Sequence, residues 1–175
     1  MIKEAISVIN QMLVDGIIDR YAIGGAIGAT FYLEPVSTVD LDIFIALEPQ
    51  PGQRLISLQP VYDYLKNKNA VPEGEYILIA GWPVQVLVPN SPLVEEALQE
   101  AVESDVEGEP AWVFRPEHLA AIALQTGRAK DKSRLLEFIE QEALDTERFL
   151  SLIQKHHLSE KWATFRQQFL GDDRP

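Results

Sequence analysis

The chain has 175 residues, of which 46% are hydrophobic and 24% are charged, so it can bury an apolar core and disorder is not expected. The absence of cysteine excludes disulfides, thiolate metal sites and cysteine nucleophiles, and three histidines are few for a histidine-built zinc site. The formal net charge is −12, and because nucleic-acid backbones are bound by basic surfaces, extended nucleic-acid binding is disfavoured.

The N-terminal segment has the pattern of an amphipathic helix. Its apolar residues recur at helical spacing and share one face; they are Ile2, Ala5, Ile6, Ile9 and Leu13. No apolar run in this segment is long enough for a signal peptide, and no segment approaches the length of a membrane span. We therefore expect a soluble cytoplasmic protein with no membrane partner.

The next part of the chain alternates strand and helix patterns. Residues 21–23 predict a short strand that runs into Gly24-Gly25, and residues 26–33 predict a helix. Residues 39–45 alternate, with valine, leucine and two isoleucines at every second position. This period of two predicts a strand with one apolar face.

Prolines at 49 and 51 and a glycine at 52 then break the chain before a predicted helix over residues 58–67. Two β-rich runs, residues 75–80 and 83–88, are separated by Gly81-Trp82, which predicts a hairpin. Trp82 could stack on a base, but packing at the hairpin is the preferred interpretation.

The rear of the chain is dominated by helical patterns. Residues 93–102 predict a helix with an acidic outer face, and residues 105–114 are ambiguous, with a second hairpin as one interpretation. Trp112 and Phe114 are expected in the core. Further helices are predicted over residues 116–126, 130–143, 145–156 and 159–169. We therefore expect an α/β core over residues 1–114 and a C-terminal helical segment over residues 115–175.

Two aspartates within the apolar strand over 39–45 are the first candidate site. Asp40 and Asp42 point the same way, about 6.5–7 Å apart at their Cα atoms. Aspartate is depleted in strands, and Mg²⁺, which takes one or two carboxylates plus water and phosphate oxygens, would explain the pair. The alternative is a half-exposed strand whose polar face happens to hold two aspartates, which is the commoner explanation of an isolated Asp-x-Asp.

The residues before the aspartates make the magnesium interpretation more specific. Gly24-Gly25 lies at a strand-to-helix turn, where glycines let the backbone approach a phosphate. Ser37 and Thr38 precede the aspartates and could also contact a phosphate. Taken singly, the glycines could be an ordinary tight turn and the hydroxyls a strand-entry turn.

The stretch YAIGGAIGATFYLEPVSTVDLDIFI, residues 21–45, resembles the nucleotidyltransferase superfamily, the fold of DNA polymerase β and of many small bacterial transferases. The resemblance implies an α/β (α+β) fold with a small mixed sheet flanked by helices. It also implies that Asp40 and Asp42 hold Mg²⁺ and that Gly24 and Gly25 contact a nucleoside triphosphate.

The stretch HLAAIALQTGRAKDKSRLLEFI, residues 118–139, resembles the helical part of bacterial abortive-infection-type nucleotidyltransferases. This resemblance implies that Arg128 and Lys130 reach the nucleotide phosphates and that Asp131 caps or orients the following helix. Without the resemblance, the Gly127 break is equally well an ordinary helix end followed by a helix start.

One departure from the family pattern bears on activity. Active members usually carry a third carboxylate on a neighbouring strand, and the corresponding strand here has Gln85 where aspartate is expected. A neutral amide can neither hold a second metal ion nor accept a proton. Glu73 and Glu75 are nearby in sequence but have no supporting spacing, and Arg54 is the first cation that follows the glycine turn in sequence.

Two functions therefore follow from the sequence. The first is Mg²⁺-dependent transfer of a nucleoside monophosphate from a nucleoside triphosphate to an acceptor hydroxyl. The second is a catalytically degenerate binding module that acts through a protein partner, as in a toxin–antitoxin pair. An acidic run is expected to be a solvated face or, alternatively, a docking surface for a basic partner; it comprises Glu95, Glu96, Glu100, Glu103, Asp105, Glu107 and Glu109.

Overall fold

The computed structural model describes residues 1–35, 38, 40–48 and 56–171. The strands are β1 (Arg20–Ile23), β2 (Leu41–Ala46), β3 (Val71–Glu73), β4 (Tyr76–Ile79), β5 (Trp82–Leu87), β6 (Val102–Val106) and β7 (Glu109–Val113). The helices are α1 (Ile2–Val14), α2 (Gly25–Ala29), α3 (Gln59–Asn67), α4 (Pro92–Gln99), α5 (Pro116–Thr126), α6 (Ala129–Glu140), α7 (Thr146–Lys155) and α8 (Ser159–Phe169).

All seven strands form one mixed sheet in the order β3-β4-β5-β2-β1-β7-β6. The central strand β2 is antiparallel to β1 and parallel to β5. Strand β1 in turn pairs in parallel with β7. Strand β2 is hydrogen-bonded to a neighbouring strand along both edges. Its pairing with β1 and β5 therefore fixes the face of the sheet to which each of its side chains points.

Helices cover both faces of this sheet. Leu41, Ile43 and Ile45 of β2 are fully buried on one face, in a cluster that includes residues of α1 and α3. The opposite face packs against α4 and the C-terminal helices, where Phe44 contacts Phe114 with ring centroids 4.9 Å apart. The period of two in β2 therefore aims Asp42 toward the face that α4, α5 and α6 cover.

The α/β fold class and most of the predicted elements are confirmed, including both hairpins. The short strand β3 was not predicted, because its three exposed residues carry no apolar alternation. Helix α2 is shorter than predicted: Thr30 follows its end, where its hydroxyl bonds to the Ile27 carbonyl. Pro49, Pro51, Gly52, Arg54, Ser37 and Val39 lie outside the described residues.

The two aromatic residues of the second hairpin region differ in burial. Phe114 is in the core as predicted, whereas the prediction for Trp112 is wrong, since 38% of it is exposed. Strand β7 alternates, and Ala111 and Val113 take the inward positions. Trp112 therefore falls on the outer face.

No helix in the described part of the chain has both the length and the apolar composition that crossing a bilayer requires.

Candidate active site

A cavity of about 740 Å³ opens beside the beginning of β2. Asp40 and Asp42 line it, and Arg128, Lys130 and Arg134, from the N-terminal part of α6 and the residue before it, also line it. The strand and the helix are far apart in sequence, so the tertiary structure brings the predicted aspartates together with the predicted Arg128 and Lys130. The cavity thus joins paired carboxylates to a cluster of cationic side chains.

The glycine turn packs directly on Asp42. The Gly24 amide donates to the Asp42 carbonyl at 3.0 Å, and a Cβ on Gly24 would lie 2.6 Å from the Phe44 ring. Gly25 has a φ of +57° and lines the cavity, and a Cβ there would collide with the Asp42 carboxylate. Both glycines are therefore explained by close approach to β2, and Gly25 is the one exposed to a ligand in the cavity.

Asp42 is the electrostatically strained member of the pair. Partial burial raises the pKa of its carboxyl, and the neighbouring charge of Asp40 raises it further. The charges of Lys130, Arg134 and Arg128 act in the opposite direction. A divalent cation beside the two carboxylates would supply the positive charge that opposes this cost, so the donor set fits Mg²⁺, which prefers carboxylate and phosphate oxygens.

The cationic side of the cavity is organised by Asp131. This carboxylate is 2% exposed, accepts the Arg128 backbone N–H at 3.3 Å, and accepts the Arg128 Nε at 2.7 Å. The Arg134 Nη1 lies 3.7 Å from its other oxygen. Asp131 thus caps α6, as predicted, and also holds two arginines at the cavity, and this pairing raises the pKa of Arg128.

Lys130 differs from the two arginines. It lies in the first turn of α6, is exposed, and forms no ion pair within the described residues. Its charge still acts on Asp42 across the cavity. It is therefore the cation that is free to contact an incoming anion.

Gln85 lies directly beside Asp42. The parallel register of β2 and β5 pairs the two residues, and both line the cavity. On the next strand Tyr76 also lines it, and the charges of Asp40 and Glu75 raise the pKa of the Tyr76 phenol. Glu75 lines the same cavity from the turn before β4, so a further carboxylate is present at its rim, although it is exposed.

No protein-family model and no curated protein matches this sequence. Solved structures do match: a nucleotidyltransferase-like antigenic protein from Paracoccidioides brasiliensis is 18% identical, with a TM-score of 0.56, over 91% of this chain and 90% of that one. The chain has a nucleotidyltransferase fold.

Two structures of the antibiotic-resistance factor ANT(2'')-Ia agree with this assignment. Its solution structure is 14% identical with a TM-score of 0.50, over 94% of each chain. Its crystal structure in complex with adenylyl-2''-tobramycin is 15% identical with a TM-score of 0.53, over 96% of each chain. At these identities the likeness establishes the fold alone.

Within this nucleotidyltransferase fold, some predicted residues lie away from the cavity. Thr38 is half-buried, but neither it nor Gly24 is among the described residues that line the cavity. Trp82 does not line it either and packs against the core on the α1 side, which agrees with the packing interpretation.

Sequence reasoning missed Arg134 and Tyr76. Arg134 follows Lys130 by four residues, so their shared helix face was a usable signal. No signal in the sequence indicated Tyr76, because only the pairing of β4 with β5 brings it to the site.

Proposed function

We propose that this protein binds a nucleoside triphosphate with Mg²⁺ and transfers the nucleoside monophosphate to a hydroxyl of a small acceptor. The observation that supports it is the placement of Asp40 and Asp42 in one cavity with Lys130 and the two arginines held by Asp131. Carboxylates that hold a divalent cation, facing cations that neutralise phosphate, are what phosphoryl transfer needs, because its catalysis is mostly positioning and charge stabilisation.

In the proposed reaction the acceptor oxygen forms a bond to the α-phosphorus while the bond from that phosphorus to the pyrophosphate oxygen breaks. Pyrophosphate leaves, and the hydroxyl proton passes to a carboxylate of the cavity. Bound Mg²⁺ would neutralise charge on the phosphate oxygens. Asp40 and Asp42 would hold the ion, Gly25 would let the phosphates approach β2, and Lys130 with Arg128 and Arg134 would bind the triphosphate.

A small acceptor fits the charge of the chain better than a nucleic acid does. The net charge of −12 disfavours the backbone contacts on which extended nucleic-acid binding depends. A fold neighbour, ANT(2'')-Ia, was crystallised with adenylyl-2''-tobramycin, in which the adenylyl group is on a small molecule. We therefore propose a small hydroxyl-bearing acceptor.

The test is a thermal-shift titration with each nucleoside triphosphate, with and without Mg²⁺, followed by assay of pyrophosphate release with a panel of small hydroxyl compounds. At a hundredfold excess over Kd, ligand adds about 2.7 kcal/mol, which shifts the Tm of a domain of this size by about 5–11 °C. We expect this shift in the wild type, its loss in Asp40→Asn/Asp42→Asn, and a smaller shift in Lys130→Ala.

Lys132→Ala is the matched control, because Lys132 is on the same helix but does not line the cavity. Its nucleotide shift should equal that of the wild type. A Mg²⁺-dependent shift that survives in Asp40→Asn/Asp42→Asn would contradict the proposed site.

The register of Gln85 with Asp42 favours the second candidate function, a degenerate binding module with a protein partner. The variant Gln85→Asp separates the two functions, since it adds a carboxylate beside Asp42. If the wild type releases pyrophosphate and Gln85→Asp does not increase the rate, the wild-type site is a working enzyme. If only Gln85→Asp is active, the natural protein is a degenerate module.

A further inference from the structure

A second cluster of metal-ligating side chains lies outside the nucleotide cavity, where α4, α5 and α7 meet. Glu96 and Glu100 are four residues apart on one face at the end of α4, and His118 lies in the first turn of α5. One ligand atom from each of these three residues lies within 4.8 Å of the others. The cluster therefore combines two carboxylates and an imidazole from two helices.

His118 is the observation that points to a ligand. The residue is 0% exposed, and neither of its ring nitrogens has a hydrogen-bond partner among the described residues. Its Nε2 faces the Glu96 Oε1 at 3.6 Å, which is too long for a hydrogen bond. Buried polar atoms are normally satisfied, so an unpartnered imidazole aimed at a carboxylate calls for a further group between them.

Glu96 is not part of the solvated face that the sequence predicts for the acidic run, whereas the Glu100 side chain is 42% exposed. The Glu96 side chain is 14% exposed, and its Oε2 accepts from Lys155 at 2.7 Å and contacts the His156 Nε2 at 2.9 Å. The Glu100 Oε2 accepts from Arg148 at 2.5 Å. Histidines from two helices thus flank Glu96, one on each carboxylate oxygen.

We propose that His118, Glu96 and Glu100 bind a divalent transition-metal ion such as Zn²⁺. Imidazole nitrogen and carboxylate oxygen are both zinc ligands, and three protein ligands leave the fourth tetrahedral position for water. Ligand atoms around tetrahedral zinc are about 3.3 Å apart, given bonds of about 2.0–2.1 Å. The gap of 3.6 Å between His118 and Glu96 is already close to that separation.

The charge and protonation of the cluster agree with a metal site. Burial lowers the pKa of His118, which favours the neutral ring that a metal ligand must present. Lys155 and Arg148 currently neutralise the two glutamates, and both side chains are partly exposed. They can move into solvent when an ion arrives, and they compete with it until then.

A metal at this position would join α5 of the C-terminal helices to α4 of the core. Helix α5 also lines the nucleotide cavity, through Leu119 and Ile122. The ion would therefore stabilise the helices that form one wall of that cavity without taking part in its chemistry.

The experiment is a titration of the tag-free full chain with Zn²⁺ by calorimetry, and with Co²⁺ by visible absorption, in the Asp40→Asn/Asp42→Asn background. That background removes the other carboxylate pair, so the result does not depend on the proposed nucleotide site. We expect one ion per chain, visible bands of four-coordinate cobalt, and binding that is lost in His118→Gln and weakened about tenfold or more in Glu100→Gln.

The matched control is His157→Gln, because His157 is exposed and outside the cluster. It should bind as the parent does. Lys155→Met should bind more tightly, because it removes the cation that competes for Glu96. Since His118 is buried and His118→Gln could fail to fold, the ring-proton signals of His118 are also followed by NMR during Zn²⁺ titration of the folded parent. The absence of saturable binding, unshifted His118 signals, or equal loss in His157→Gln would overturn the proposal.

Discussion

The Asp42 carboxylate is subject to opposing electrostatic effects. Its carboxylate is packed against the Gly24-Gly25 turn, half-buried, and close to a second negative charge at Asp40. The positive charges across the cavity offset the free-energy cost of ionising Asp42 only in part, because the pKa of Asp42 stays raised. The ionised carboxylate therefore lowers stability, and a bound cation would offset this loss.

We predict that Asp42→Asn is more stable than the wild type at pH 7 without ligand. A carboxyl with a raised folded-state pKa stabilises the fold below its unfolded pKa, and this contribution is lost as pH rises through the folded pKa. The Tm advantage of the variant should therefore be largest at neutral pH and vanish as pH falls to the ordinary aspartate range near 3.8. Thermal unfolding across pH measures it.

The exposed Asp19 provides the control, and Asp19→Asn should show no comparable pH-dependent gain. An Asp42→Asn variant that is no more stable than the wild type at pH 7 would show that the carboxylate is not strained.

We predict that Gly25→Ala destabilises the fold by about 2–4 kcal/mol. Alanine at positive φ costs about 1–2 kcal/mol, and the added methyl group also displaces the Asp42 carboxylate. Urea unfolding measures the loss, and nucleotide-dependent stabilisation should fall with it.

Gly16→Ala separates the two costs. Gly16 has a φ of +70°, and nothing lies within 4 Å of the Cβ position. Gly16→Ala should therefore lose only the free energy that it costs to place alanine at a positive φ. Equal losses in the two variants would mean that contact with Asp42 contributes nothing at Gly25.

At the scale of elements, the α5–α6 junction positions the cations of the cavity. Gly127 ends α5 in the left-handed conformation, with a φ of 69°, and α6 begins two residues later with Asp131 in its first turn. The same carboxylate caps the helix and binds two arginines. The structural and functional interpretations of this turn are therefore compatible.

We predict that Asp131→Ala destabilises the protein by about 2 kcal/mol. The substitution removes a helix cap together with charged hydrogen bonds to a buried carboxylate. It should also weaken nucleotide binding, because Arg128 loses the group that orients it. Denaturant unfolding and the thermal-shift titration measure the two effects.

Glu140→Ala tests whether any carboxylate on α6 would give the same result. Glu140 is exposed in the last turn of the helix, and its removal should change stability by no more than about 0.5 kcal/mol. A loss as large as that in Asp131→Ala would contradict the assigned role.

At the scale of the whole molecule, the sheet and the C-terminal helices share one core. Ala22 and Phe114 from the sheet region pack in the same cluster as Leu119, Leu135 and Phe138 from α5 and α6. The division into residues 1–114 and 115–175 stays a prediction. The cavity takes Asp40 and Asp42 from the first part and Arg128, Lys130 and Arg134 from the second, so both parts are needed to form it.

The sequence alone determined the features that depend on local pattern. Periods of two and 3.6 residues located β2, the amphipathic α1 and the helical rear half, and the glycine pair before Asp40 and Asp42 indicated the fold. These features are readable because backbone geometry and burial on one face impose them on neighbouring residues.

Only the tertiary structure decided which distant residues meet. The parallel pairing of β2 with β5 put Gln85 beside Asp42, and the packing of α6 on α5 put Arg134 in the same cavity as the aspartates. The approach of α4 to α5 and α7 collected His118, Glu96 and His156, which the sequence had treated as unrelated. Strand pairing and helix packing join residues far apart in the chain, and no local periodicity encodes such contacts.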